Sequence, residues 1–252
     1  MFVLQSRIKI GGRLLSRIAE VEVCRSVRSL GAYARVKVPA SSVFAPQDGS
    51  GALRGDPVTP AAVGAAVEIE LAYGRAWQTE FRGYVRKVDG VRPLEIVCED
   101  AYYLTRSRSV SLTGGTAKLG DVLGDCGLEV GEASDRELHN FVADEEPVSR
   151  VLERLRADFG LDVFFDTSGK VYAVEPGAYR SGEVRYEMGR NVLCRDVGGL
   201  TTFLEPYAAP CMEAVVRDPV YPDRDGRHYI TGVRTVFGRG GARRTVSLSE
   251  IL

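Results

Sequence analysis

Residues 66–74 read AVEIELAYG, with Val67, Ile69 and Leu71 on one phase and Glu68 and Glu70 on the other. Successive side chains leave a β-strand on opposite sides, so this two-residue period specifies a strand with one buried face and one wet face. The pattern recurs through the first hundred residues. IAEVEVCRSV sets Val21 and Val23 against Glu20 and Glu22, and AYARVKVP sets Ala34, Val36 and Val38 against Tyr33, Arg35 and Lys37. TEFRGYVRKVDG and RPLEIVCED continue it. So many half-buried strands in one stretch predict a barrel or a sandwich. One segment interrupts the series: Ala40 to Gly64 is rich in Ser, Pro, Gly and Ala and has no period. It is expected to be a mobile loop, or one that becomes ordered against a partner, and to be the first site of proteolysis.

Helical periodicity appears only in the middle of the chain. TAKLGDVLGDCGLEV has Thr116 as the expected N-cap, a stripe of Leu119, Val122, Leu123 and Cys126, and Gly127 as the stop. EPVSRVLERLRADFGLDV has Pro147 near the first turn, a stripe of Val148, Val151, Leu152, Leu155 and Phe159, and Gly160 as the stop. The two align at an offset of 33 residues, each reading helix, glycine, strand. A helical solenoid needs about three such units; no third is found, and strands follow both copies. Asp166-Thr167-Ser168-Gly169 then reads as a hairpin tip. After Pro176 the chain returns to strands in CMEAVVRDP and in a hairpin around GRGGA, where Gly238, Gly240 and Gly241 permit positive φ.

The residues that could carry chemistry form no reactive constellation. His139 and His228 lie far apart and outside any metal-spaced motif, and neither CxxC nor HExxH occurs. No phosphate-binding glycine loop and no GxSxG elbow is present. Asp223, Asp225 and Gly226 make half of a calcium loop and read as a polar turn. Asp144, Glu145 and Glu146 could supply a carboxylate pair, but acids ahead of a helix also complement its dipole, which is the reading adopted. Cys24, Cys98 and Cys126 read as buried thiols, and Tyr102 and Tyr103 beside Arg106 and Arg108 as a core edge. No catalytic, cofactor or metal residue is assigned.

Net charge is −1 over 252 residues, which argues against a dedicated nucleic-acid binder. The charge is grouped, however. Residues 1–37 carry eight Lys/Arg against two acids, 121–166 thirteen acids against four Arg, and 224–244 six Arg against one Asp. Such blocks are either solvated faces or surfaces that meet neighbours. Five scattered cysteines, no apolar run of about 20 residues and no signal-like start predict a non-secreted chain made in a reducing compartment, without an integral membrane segment.

The serial order of the pieces resembles a known family. A strand with alternating acids precedes Phe81-x-Gly83-x-Val85, then a strand ending in Asp100 before a short helix, then the two helix–glycine–strand units. GRNVLC and YITGVRTVFGRGGARRTVSL resemble its closing strands. The resemblance is to the late control protein D family of phage tail hubs, similar in turn to the hub part of the valine–glycine repeat proteins of type VI secretion. It departs from the pattern at the 40–64 insertion and in having no spike-like extension after Leu252, which implies a spike on a separate chain.

The resemblance and the residues together predict an α+β, predominantly β fold, with two barrel-like β domains flanking a small α/β middle region. The expected divisions are 1–106, with the loop at 40–64; 107–188, with two helix–glycine–strand units; and 189–252. The resemblance implies a structural, non-enzymatic virion protein: a homotrimeric baseplate hub that joins tail tube to spike, with the tape-measure protein as a further neighbour. It would be assembled in the bacterial cytoplasm and carried in the phage tail, without cofactors or sequence-specific nucleic acid. The alternatives are a tail-delivered cell-wall hydrolase using Asp144–Glu146, and a hub or adaptor of a non-phage contractile injection system.

Overall fold

The computed structural model describes residues 4–39, 41–45, 62–90 and 93–250. Seven strands make the first β region: β1 (Leu4–Ile10), β2 (Arg13–Leu14), β3 (Glu20–Ser26), β4 (Tyr33–Val38), β5 (Ala66–Tyr73), β6 (Ala76–Asp89) and β7 (Leu94–Glu99). The expected alternation holds. Val21, Val23, Ala34, Val36, Val67, Ile69 and Leu71 are buried in one core. The opposite phase carries cross-strand ion pairs: Lys9 and Arg82 to Glu68, Arg7 to Glu70, Lys37 to Glu20 and Arg234 to Glu22. Each exposed pair adds little stability, roughly 0–1 kcal/mol. Three of the eight cations of residues 1–37, Arg7, Lys9 and Lys37, are thus matched within the chain itself.

Most of the loop expected at 40–64 lies outside the described residues. Its start does not fit the expectation of mobility. Phe44 is buried and bridges Leu15, and Ser42 donates to the Arg17 carbonyl at 2.7 Å.

The middle region holds α1 (Tyr102–Thr105), β8 (Ser109–Leu112), β9 (Thr116–Lys118), α2 (Leu119–Asp125), β10 (Val130–Ala133), β11 (Glu137–His139), β12 (Ala143–Pro147), α3 (Val148–Phe159), β13 (Asp162–Phe165) and β14 (Val171–Val174). The two helix–glycine–strand units are both present. Gly127 and Gly160 each adopt φ +69 at the end of their helix. The strands that follow flank β14, with β10 parallel and β13 antiparallel to it. Leu119, Val122, Leu123, Val151, Leu152 and Leu155 join the two helices to this sheet in a second core. One expectation fails. Thr116 lies in β9 and caps nothing; its hydroxyl meets His139 Nδ1 at 3.0 Å, while Lys118 is the residue before α2. Phe159 packs at the edge of this core as the stripe implies, half-buried and tilted against Phe141 with ring centroids 6.0 Å apart.

A Cβ added at Gly160 would meet nothing within 4 Å, so a substitution there is strained by φ alone. Gly160→Val is expected to lower the unfolding free energy by about 1–2 kcal/mol in urea titration, the cost of a left-handed β-branched residue. A value near zero would mean that the helix end refolds around the change.

The second β region holds β15 (Gly182–Glu187), β16 (Val192–Asp196), β17 (Gly199–Thr202), β18 (Met212–Arg217), β19 (Gly226–Gly238) and β20 (Gly241–Glu250). Val184, Tyr186, Val192, Leu200, Ala214, Ile230 and Val246 form its core. In the β19–β20 hairpin only Gly241 of the three glycines has positive φ, at +100. β19 changes partner along its length. Residues 226–229 pair with β18, and residues 232–238 pair with β3 of the first region. A bulge between Ile230 and Gly232 separates the two halves. One strand thus belongs to both β regions, and a single sheet runs from β16 through β19 and β3 to β2. Each region curls around its own core, but this path is open, and neither closes as a barrel among the described residues. The class is α+β, predominantly β.

Candidate functional site

The Phe81-x-Gly83-x-Val85 segment lies where β6 crosses the end of β7. Phe81 and Val85 are buried in the first core. Gly83 sits against the β7 backbone so closely that a Cβ there would be 2.1 Å from the Glu99 carbonyl oxygen. This contact admits no side chain.

Asp100, next along the chain, is 3% exposed and pins the corner between the regions. Its carboxyl accepts the Ala32 N–H at 2.7 Å and the Tyr102 N–H at 3.0 Å. Burial pushes its pKa up to about 7, against the two N–H donors, which favour the charged form. A folded-state value above the unfolded one means that the folded chain holds this proton more tightly. The stability tied to this proton is therefore fully present below about pH 4 and is lost as pH rises through about 7. Asp100→Asn removes the titration. Urea unfolding measured across pH 5–8 is expected to show wild-type stability falling relative to that of the variant. Parallel pH profiles would contradict this.

The densest polar cluster lies between the β regions. On β6, Ile69 pairs with Phe81 and Glu70 with Thr79, which leaves Glu80 as the extra residue of a bulge. The bulge turns Glu80 into the interior, where it is 1% exposed. There it meets Arg244 of β20 at 2.5 Å, the Thr235 hydroxyl of β19 at 3.3 Å and Arg25 of β3 at 3.6 Å. Arg244, also 1% exposed, donates further to the carbonyls of Leu204 and Pro206. Arg25 donates to the Tyr207 hydroxyl at 2.9 Å and the Ala208 carbonyl at 3.1 Å. Both guanidiniums also lie near the face of the Tyr207 ring. Segment 203–211, which links β17 to β18, is thus strapped down by two arginines that share one carboxylate. Beside it a cavity of ≈170 Å³ is lined by Phe81, Phe164, Tyr172, Tyr179 and Tyr207.

The other residues singled out in the sequence are not brought together. His139 meets Thr116, and His228 lies on β19. Glu146 is paired with Arg154 at 2.7 Å and Arg150 at 3.5 Å, both on α3, while the Glu145 N–H donates to the Ser111 hydroxyl. Asp225 Oδ1 accepts the Asp218 N–H, closing the expected polar turn. Burial pushes the Cys98 and Cys211 thiols up to about 12 and Cys126 to about 11, so they stay protonated near neutral pH. Among the described residues no group of His, Cys, Asp and Glu is placed to hold a metal ion. Arg106 pairs with Glu99 and lies over Tyr102, a core edge as expected. Also among the described residues, no helix is long and apolar enough to cross a membrane.

No family model and no curated protein matches the sequence. The fold does match solved structures. A 43 kDa tail protein of prophage MuSo2 from Shewanella oneidensis superposes with TM-score 0.68 at 12% identity, covering 98% of both chains. A tail protein from Neisseria meningitidis MC58 gives TM-score 0.68 at 10% identity, over 98% of this chain and 96% of that one. An E. coli component of the type VI secretion system, described as structurally similar to T4 bacteriophage tail proteins, gives TM-score 0.61 at 13% identity, over 96% of this chain and 77% of that one. Along nearly its whole length, the chain has the fold of phage tail proteins and of a tail-like component of type VI secretion.

Proposed function

We propose that the chain is a structural hub of a phage tail or related contractile injection system, acting as a homotrimer that joins a tail tube to a spike. The observation that carries this reading is the sharing of β19 between the two β regions, backed by the buried Glu80–Arg244–Arg25 cluster. The shared strand joins two β units within one chain. Three copies would offer six such units to a sixfold tube while keeping a threefold axis for a spike. The chain-length match to tail proteins supports the same reading. In this proposal the first β region and the second, which begins at β15, are the tube-facing units, and the helix-bearing region lies between them. Tube, spike and tape-measure proteins are the partners, and the site of action is the virion tail.

The purified chain mixed with its cognate spike protein is expected to give a native mass of three copies of the chain. A persistent monomer or a two-fold dimer in that mixture would contradict the hub. The acidic run favours no hydrolase reading, since Glu146 is held by two arginines.

A further inference from the structure

The loop between β18 and β19 presents an apolar tip. Val220 is 73% exposed and Tyr221 52% exposed. The tip is nonetheless built rigidly. Asp218 is 3% exposed, and its Oδ1 accepts the N–H groups of both Val220 and Tyr221 at 3.0 Å. Asp225 Oδ1 accepts the Asp218 N–H, and Pro222–Arg224 form a 3-10 turn beneath the tip. A loop held this firmly keeps two large apolar side chains in water at a standing cost, and such a preordered aromatic tip is the usual form of an interface anchor. On its far side the exposed Asp223 and Asp225 stand against one arginine, Arg224.

A groove of ≈590 Å³ lies where the three regions meet, bounded by Arg28, Pro176, Ala178, Arg180 and Tyr229, with Asp162 at its side. Arg180 lies over the Tyr229 ring at 4.6 Å, which gives the groove an apolar floor with a basic lip. Arg28 and Arg156 both act on Asp162, so arginines outnumber the carboxylate. The groove has room for an aromatic ring and an isopropyl group. Tip and groove cannot meet within one chain. The β18–β19 ladder runs from Glu213 opposite Tyr229, at the groove, to Val216 opposite Gly226, at the loop. They therefore lie at opposite ends of about 10 Å of paired strand.

We propose that Val220 and Tyr221 of one copy seat in the groove beside Arg28 and Arg180 of a second copy of this chain, with Asp223 meeting the basic lip. Apolar character and charge are complementary between the two surfaces. This rests on the homotrimer reading above and names the contact between copies.

The test is sedimentation of the purified chain over a concentration series up to ~100 µM, with unfolding midpoints measured alongside. The wild type is expected to self-associate. Val220→Ser with Tyr221→Ser is expected to raise the dissociation constant at least about tenfold without lowering the unfolding midpoint. Arg28→Glu should do the same, and adding Asp223→Arg to it should restore association. A wild type that stays monomeric throughout, or association that is indifferent to these substitutions, would overturn the contact. Trimers that still form with the spike in the Val220/Tyr221 variant would reject this contact but leave the hub standing. A spike mixture that gives no trimer even with wild type would reject the hub itself.

Discussion

Gly83→Ala is expected to leave almost no folded protein. The added methyl would lie 2.1 Å from the Glu99 carbonyl oxygen and 2.8 Å from the Asp100 Cα. Both obstacles are backbone, so no rotamer change relieves the overlap. Relief requires β6 and β7 to part where Tyr84 faces Glu99, which also disturbs Asp100 and the two N–H groups it holds. Overpacking normally costs 1–3 kcal/mol, but a clash against paired backbone belongs in the exceptional tail above about 4 kcal/mol. That is a large part of a total stability of roughly 5–15 kcal/mol. Gly124→Ala is the control. It lies on the exposed face of α2 with nothing within 4 Å of the new methyl, and it should gain about 0.5–1 kcal/mol. Soluble yield and urea midpoints separate the two. Equal behaviour of both variants would refute the close approach.

The second large effect concerns Arg244. Arg244→Met leaves Glu80 buried, with Arg25 at 3.6 Å as its remaining cation. It also frees the carbonyls of Leu204 and Pro206. Breaking a buried pair from one side costs about 3–5 kcal/mol, because a charge remains without its partner. Replacing both partners, Glu80→Met with Arg244→Met, removes the unbalanced carboxylate but strands Arg25 and still frees both carbonyls, so it should recover only part of that loss. Segment 203–211 should become newly protease-sensitive in both variants, since each removes the Arg244 strap. A double variant no more stable than the single one would show that the cluster does more than balance its own charge.

These two sites differ in how far the sequence announces them. The strands of the first region were legible because a single core covers one phase of each, as Val67, Ile69 and Leu71 show. The helix ends at Gly127 and Gly160 were legible because a left-handed residue is a local requirement. Arg244 carried a readable signal: it stands in phase with Ala242 and Val246, an arginine on the buried face of β20. Glu80 carried none, because the bulge that turns it inward depends on its pairing with β5. Thr116 was misread because a good capping residue was also an acceptable strand residue, and pairing with His139 decided between them. The partner change in β19 was hidden as well. The pairings with β20 and β18 are local, but the switch to β3 along the β18 edge joins residues some 200 positions apart.

Electron microscopy of the assembled tail particle that carries this chain is the most direct test of the hub. The prediction is a ring of three copies at the end of the tube, with the two β regions of each copy alternating around a sixfold channel and a spike bound on the threefold axis below. Copies found along the tube, in a sheath, or at the tip in any number other than three would contradict it.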